Sequence, residues 1–302
     1  MDTFLRVGGV QAQLFLYLLV GVLCRKKGIL TDETTEKLTD LIIYITLPCM
    51  VFESFNMEFS LAILRAGAEM LLIASVMALL ALGLGKLLYR RYPRDERSVL
   101  RYGMLVTNSG FVGMPLVSGA YGQEGLFLAS FFIIPTRILM WSAGISLFSE
   151  ADGRDNAKKV LLNPSIIAVE LGLARMALQL PLPGVIDAAI SGMGDCSTPL
   201  VMLQIGAMLA DTPISAAFDR RAFGLAAVRQ LALPLLCLAG LRLLGTEALA
   251  LRVSVTLSGM PIGTTTALIA RKYGANAAFA SKCVFVSTLS SLVTVPLLSL
   301  LL

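Results

Sequence analysis

The sequence predicts an all-α membrane protein of ten transmembrane helices in a five-plus-five inverted repeat, with two broken crossover helices at spans 4 and 9. Three observations lead there. Apolar residues make up 56% of the 302 residues and charged residues only 15%, with a mean hydropathy of +0.79. A soluble domain carries nearer a quarter of charged residues, so lipid is the expected solvent. The apolar residues fall into ten stretches of spanning length, and proline-glycine motifs recur at matching places in the two halves of the chain.

Cutting at charged and turn-rich interruptions gives stretches at 8–23, 38–55, 61–87, 102–121, 125–148, 160–180, 186–210, 222–243, 250–270 and 277–301. A helix needs about 20 residues to cross the hydrocarbon core, and most of these qualify. The first is read as a span and not as a signal peptide, because Arg25, Lys26 and Lys27 follow the apolar run instead of preceding it. Residues 1–148 and 160–302 form the two five-helix repeats, joined by a short polar cytoplasmic linker at 149–159. Alternate connections hold sixteen lysines and arginines on one side, including Arg90, Arg91, Arg94, Arg97 and Arg101, against four on the other. The positive-inside rule makes the first side cytoplasmic and sets both termini outside the plasma (inner) membrane. Topology thus accounts for the net charge of +5, and no nucleic-acid partner is expected.

An odd number of spans per half puts related halves in opposite orientation. TLPCMVF at 46–52 in span 2 and STPLVMLQ at 197–204 in span 7 each place a proline inside a helix, Pro48 and Pro199. NSGFVGMPLVSGAYG at 108–122 in span 4 and SGMPIGTTTALIARKYG at 258–274 in span 9 share Gly-Met-Pro and end in Tyr-Gly. Offsets of 151, 146 and 152 for Pro48/Pro199, Pro115/Pro261 and Tyr121/Tyr273 agree with duplication and small insertions. Proline removes a backbone hydrogen bond and glycine loosens the chain, so both spans read as broken. Two such breaks crossing near mid-membrane would offer N–H groups with partial positive charge to an anion and loose carbonyls to a cation.

The chain has no histidine, which excludes Ser-His-Asp and Cys-His nucleophile systems and His-ligated metals. Cys24, Cys49, Cys196, Cys237 and Cys283 are scattered and read as small hydrophobes. GLGK at 83–86 has neither the spacing nor the hydroxyl residue of a phosphate loop. No catalytic residue, metal or cofactor is expected, and transport would draw on an ion gradient, the membrane potential or a separate subunit. Asn108, Gly110, Gly113, Pro115, Pro261, Thr264 and Thr265 are the candidate substrate-binding residues at the breaks. Ionisable groups inside spans are functional candidates because burying them is unfavourable. Arg137, near the middle of span 5 and two residues after Pro135, is the first choice for a fixed charge facing a carboxylate, with Lys282 in span 10 second. A structural ion pair of Arg137 with Glu69 or Glu170 is the competing reading. Asp195 and Glu53 are candidates for a proton or cation path.

NSGFVGMPL at 108–116, followed by Tyr121-Gly122, resembles the fourth-span signature of the auxin efflux carrier family, including its bacterial malate or malonate permeases. TLPCMVF, TPLVMLQIGAML in span 7, the P-x-x-x-x-x-A-x-x-A segment at 261–270 and TVPL at 294–297 extend the resemblance over nearly the whole chain. The resemblance implies a scaffold part and a moving part, an elevator-like motion and a homodimer, with Asn108, Pro115 and Pro261 bordering the substrate. Span 9 has Ser258-Gly259-Met260 and no asparagine to mirror Asn108, so unequal half-sites are expected. The expected function is secondary transport of a small organic anion, a mono- or dicarboxylate or an auxin-like acid. Potential-driven uniport competes with coupling to H+ or Na+. A drug/metabolite-type ten-helix exporter of a neutral or cationic solute is the alternative, with its termini inside.

Overall fold

The proline-free apolar run at the start of the chain forms a single helix, α1 (Asp2–Lys26). It ends just before Gly28, whose φ of 72° suits glycine and few other residues. The structure is a computed structural model describing residues 2–148, 162–210 and 219–302, so the expected linker at 149–159 lies outside the described residues. The remaining helices are α2 (Asp32–Leu41), α3 (Leu47–Glu53), α4 (Leu61–Leu88), α5 (Arg94–Leu105), α6 (Met114–Leu139) and α7 (Pro164–Leu178). They continue with α8 (Gly184–Asp195), α9 (Ser197–Ala210), α10 (Arg220–Ala227), α11 (Leu233–Leu243), α12 (Ala248–Ser258), α13 (Thr265–Lys272) and α14 (Ala277–Ser299). Among the described residues there is no β-strand, only one isolated antiparallel bridge. Among the described residues five segments are long and apolar enough to cross a membrane: Leu5–Lys26, Leu61–Leu88, Ser109–Leu139, Arg220–Leu243 and Ala277–Ser299.

Three helices meet their prolines by widening a turn. A π turn at Ile42–Thr46 precedes Pro48, another at Ser109–Gly113 precedes Pro115, and a third at Val228–Ala232 precedes Pro234. In each case the residue before the proline donates five residues back: Leu47 to Ile42, Met114 to Ser109, Leu233 to Val228. The pyrrolidine ring would clash with the carbonyl four residues upstream, and a wider turn moves that carbonyl aside without ending the helix. Pro48 is therefore not a break, and α2 and α3 form one continuous helical path. At Pro199 the interruption lies three residues earlier, at Cys196, so the proline sits in the first turn of α9, where a backbone N–H has no intrahelical partner to lose.

Glycines set two close contacts and two turns. A Cβ on Gly21 would overlap the Leu203 carbonyl and one on Gly206 the Leu18 carbonyl, so α1 and α9 pack backbone against backbone, as small residues allow in membrane helices. Gly122 (φ 70°, ψ −160°) divides α6 into two helical pieces at the point where the sequence separates spans 4 and 5. Gly274, which also follows a tyrosine, takes φ 68° after α13.

Replacing Gly206 by valine should destabilise the protein by at least about 1–3 kcal/mol, the usual range for overpacking, seen as a lower melting temperature in detergent. Gly8→Ala, at a position with nothing within 4 Å of the added carbon, should leave it unchanged.

Candidate functional site

Between α5 and the π turn at Ser109–Gly113 the chain leaves helical geometry at Val106–Asn108, and between α12 and α13 it does so at Gly259–Thr264. The two interruptions pair. Asn108 donates its backbone N–H to the Pro261 carbonyl at 2.7 Å, Gly263 donates to the Val106 carbonyl at 3.0 Å, and Thr107 and Ile262 form the antiparallel bridge between them. Gly263 lies so close that a Cβ would sit 3.0 Å from Val106 Cγ1. The Ile262 N–H donates to Ser287 Oγ at 3.1 Å, and Gln230 Nε2 donates to the Ser287 carbonyl at 2.8 Å, which ties α14 and the Val228–Ala232 π turn to the same point.

Asn108 works through both backbone and side chain. Its carbonyl accepts from Val112 at 2.8 Å and Gly113 at 3.1 Å, opening the helical segment that leads into α6. The residue is 4% exposed, and its side-chain Nδ2 is buried without a partner among the described residues. Thr266 Oγ1 is buried and unpartnered in the same way, while Thr264 is buried and Thr265, the first residue of α13, is half-buried. A buried polar atom without a partner is unfavourable by about 1–3 kcal/mol, so such atoms are rare outside functional places.

Arg137 reaches this region from α6. Its Nη2 stands 2.5 Å from where a Cβ on Gly110 would be, so any side chain there would push the guanidinium aside. Its Nη1 donates to Met140 Sδ at 3.9 Å. Among the described residues no carboxylate pairs with Arg137, and neither Glu69 nor Glu170 forms an ion pair with it. Gly113 packs against Leu257 and Met260, where a Cβ would meet Leu257 Cδ2 at 2.6 Å and Met260 Cγ at 3.0 Å. The pairing is centred on Thr107 and Ile262 and not on the two prolines. Pro261 supplies a carbonyl to it, whereas Pro115 lies beyond the π turn as the second residue of α6. The two paired segments differ in sequence, with Thr107 and Asn108 on one and Pro261, Ile262 and Gly263 on the other.

Other sequence candidates fall elsewhere. Lys282 Nζ is 3.9 Å from Asp219 Oδ2 and 43% exposed, and it belongs to an ionic cluster that joins the starts of α5, α10 and α14. In that cluster Arg221 donates to Glu96 at 2.6 and 2.8 Å and lies over the Phe279 ring at 4.8 Å. A lysine two turns from a helix start reaches charged partners there more readily than the helix breaks. Glu53 stands 3.8 Å from Arg175, which pairs with Asp187 at 2.7 Å, in a cluster of α3, α7 and α8. Asp195 is exposed at the end of α8. The breaks therefore bring together Asn108, Gly110, Gly113, Arg137, Pro261 and Thr264, with Thr265 beside them, but not Lys282, Glu53 or Asp195. Arg229 escapes a reading of the sequence, because it follows Arg220 and Arg221 at the head of its helix. In the fold it is 6% exposed and donates to the Ser258 carbonyl at 2.5 Å. An ionisable residue deep in an apolar run was its one signal.

A family model described as membrane transport protein matches residues 10–299. The chain is 26% identical over 295 residues to an uncharacterized transporter of Methanothermobacter thermautotrophicus, covering 94% of each chain. It is 25% identical over 294 residues to an uncharacterized transporter of Methanocaldococcus jannaschii, covering 93% of this chain and 94% of that one.

In the ionic cluster, Asp219 caps α10 by accepting from the backbone of Arg221 at 3.0 Å and Ala222 at 3.3 Å. Burial pushes its pKa up, but hydrogen bonds from the Arg221 side chain and these two N–H groups outweigh that and hold it below the ordinary 3.8. A lowered folded-state pKa gives stability that is present above the ordinary value and lost as pH falls through the lowered one. Asp219→Ala should lower stability by about 1 kcal/mol near neutral pH. In melting experiments across pH, the gap to the parent protein should close below the carboxylate range.

Proposed function

Because the chain belongs to the membrane transport protein family, that of the auxin efflux carriers, we propose that it is a secondary transporter carrying a small organic anion past the paired breaks. The single observation behind the choice of an anion is Arg137. A permanently charged guanidinium stands against Gly110 without a carboxylate partner among the described residues. Two residues before Gly110, Asn108 Nδ2 is a buried donor without an acceptor among the described residues. A carboxylate supplies the charge one lacks and the lone pairs the other lacks. A mono- or dicarboxylate or an auxin-like acid has that chemistry, and no chemical transformation follows from it.

The reading extends to ten spans in a five-plus-five inverted repeat, residues 1–148 and 160–302, with spans 4 and 9 crossing at the breaks. The antiparallel pairing of Thr107 with Ile262 and the positive φ at both Gly122 and Gly274 support it. Movement is elevator-like: the α1–α9 pair, locked by Gly21 and Gly206, serves as scaffold, and the paired breaks travel along it. A narrow cavity lined by Gln11, Leu18, Val112, Met202 and Thr288 lies between α1, α9, the Ser109–Gly113 π turn and α14, and Gln11 Oε1 is buried there without a partner. Substrate passing between scaffold and moving part would meet this surface. The protein is read as a homodimer in the plasma membrane with both termini outside. Coupling to H+ or Na+ through Asp195 or Glu53 is the weaker mechanism, since Asp195 is exposed and Glu53 lies beside Arg175.

Purified protein in vesicles should give transient currents with malonate, malate or indole-3-acetate. Asn108→Ala should reduce them at least tenfold, a loss of about 1.4 kcal/mol in binding. Arg137→Gln should raise the half-saturating concentration while the protein stays folded; an unchanged value would remove Arg137 from the site. A reporter fused to the C-terminus should be active only outside the cytoplasm, and cytoplasmic activity would favour the drug/metabolite-type exporter.

A further inference from the structure

Residues 86–101, which close α4 and open α5, hold six cations, Lys86, Arg90, Arg91, Arg94, Arg97 and Arg101, against two carboxylates, Asp95 and Glu96. Glu96 is already taken by Arg221 at 2.6 Å, and among the described residues none of the six cations is in an ion pair. The positive-inside rule places lysine and arginine on this side, but it does not require them to be left unmatched. The cations at the end of α1 show the contrast: Arg25 pairs with Asp32 at 2.5 Å, and Lys26 and Lys27 are followed by Glu33 and Glu36. Lys86, Arg90, Arg91 and Arg94 are exposed. Arg97 and Arg101 fold back on the end of α4, donating to the Arg90 carbonyl at 3.5 Å and the Lys86 carbonyl at 3.2 Å. They stand one turn apart, a spacing at which like charges repel. Among the described residues no side chain caps the start of α5, so its free N–H groups add to the same positive field. An apolar stripe leads to this corner. Leu72, Val76, Leu79, Gly83 and Leu87 recur every three or four residues along α4 and are all exposed, Leu72 by 66% and Leu87 by 60%. That spacing keeps them on one helix face, and in a membrane protein such a face meets acyl chains. Tyr89 and Tyr92, packed edge-on at 5.8 Å, mark the headgroup level, where the stripe gives way to arginine.

We propose that this corner is a binding site for an anionic phospholipid, with its acyl chains along the α4 stripe and its phosphate held by Arg90, Arg91 and Arg94. The guanidinium fork matches two phosphate oxygens at once, and each cation at a membrane edge strengthens the hold on an anionic headgroup by about fivefold. A free phosphate would meet the cations but leave the stripe unused, whereas a phospholipid uses both. The inference goes beyond the cargo, because it assigns a lipid partner to a surface away from the paired breaks. It rests on α4 spanning the membrane and not on which solute is carried.

The test is the lipid that stays with the protein when it is reconstituted in vesicles of equal phosphatidylglycerol and phosphatidylcholine, extracted again in mild detergent and analysed by mass spectrometry. The parent should retain phosphatidylglycerol over phosphatidylcholine by about tenfold or more. The triple variant Arg90→Gln, Arg91→Gln, Arg94→Gln should bring that preference below about twofold. The double variant Lys26→Gln, Lys27→Gln removes exposed cations from the same side and should leave the preference unchanged. Raising sodium chloride from about 0.1 M to about 0.5 M should cut the parent's preference about threefold, because exposed charges are screened. Inorganic phosphate in excess should not displace the lipid; displacement would make the corner a phosphate site and overturn the proposal. No preference in the parent, a preference indifferent to salt, or equal losses in the triple and double variants would also overturn it and leave the arginines as determinants of orientation alone. If the triple variant fails to fold, Arg91→Gln alone, expected to lower the preference about fivefold, and the salt titration of the parent decide the matter. All of these readings are taken without a transported solute, so failure of the anion-carrier reading would leave them as they are.

Discussion

Broken helix backbone must find its hydrogen-bond partners inside the protein when lipid surrounds it, and the rest of this structure depends on how that is done. The freed groups of Val106–Asn108 and Pro261–Gly263 satisfy one another through two backbone hydrogen bonds, and Ser287 on α14 takes the Ile262 N–H that would otherwise be left over. Each partner limits what surrounds it. Gly263 has to be side-chain-free for the strands to approach, Ser287 has to face the break, and Gln230 holds Ser287 in place through its carbonyl. The two breaks are thus held against each other and against α14 by hydrogen bonds.

The other prolines obey the same constraint in a different way. Pro48, Pro115 and Pro234 each follow a single π turn, which absorbs the ring without opening the helix. Proline in an apolar run therefore marks a widened turn at these three positions and an open break at Pro261. What separates them is whether an opposite strand is available to pair with.

The charged residues divide along the same line. Glu53, Asp187 and Arg175 form one cluster, and Glu96, Asp219, Arg221 and Lys282 another, so these charges are matched within the protein. Arg137 and Arg229, beside the breaks, have no such match among the described residues. Arg229 is held instead by the Ser258 carbonyl at the end of α12, and Arg137 stands against Gly110, so the carboxylate-paired charges lie at helix ends and those beside the breaks are placed by other groups.

Much of the fold was legible in the chain, because burial in lipid writes itself into local composition. Apolar runs gave the helices, and the glycines of Tyr121-Gly122 and Tyr273-Gly274 both take positive φ, which few other residues do. Asn108 and Arg137 stood out as groups that are expensive to bury, and Gly110 proved to be the space that Arg137 needs. Pro48 and Pro115 misled, since a proline reads the same after a π turn as at a break. Lys282 misled because its Asp219 partner is 63 residues away in the chain. By itself the sequence determined that the chain is helical and apolar, both properties of neighbouring residues. Only the tertiary structure decided that Thr107 meets Ile262, 155 residues on, that Ser287 satisfies the freed N–H, and that Arg229 lies beside the break. Which polar atom is satisfied and which is left for a ligand depends on contacts between distant segments, and no local pattern records them.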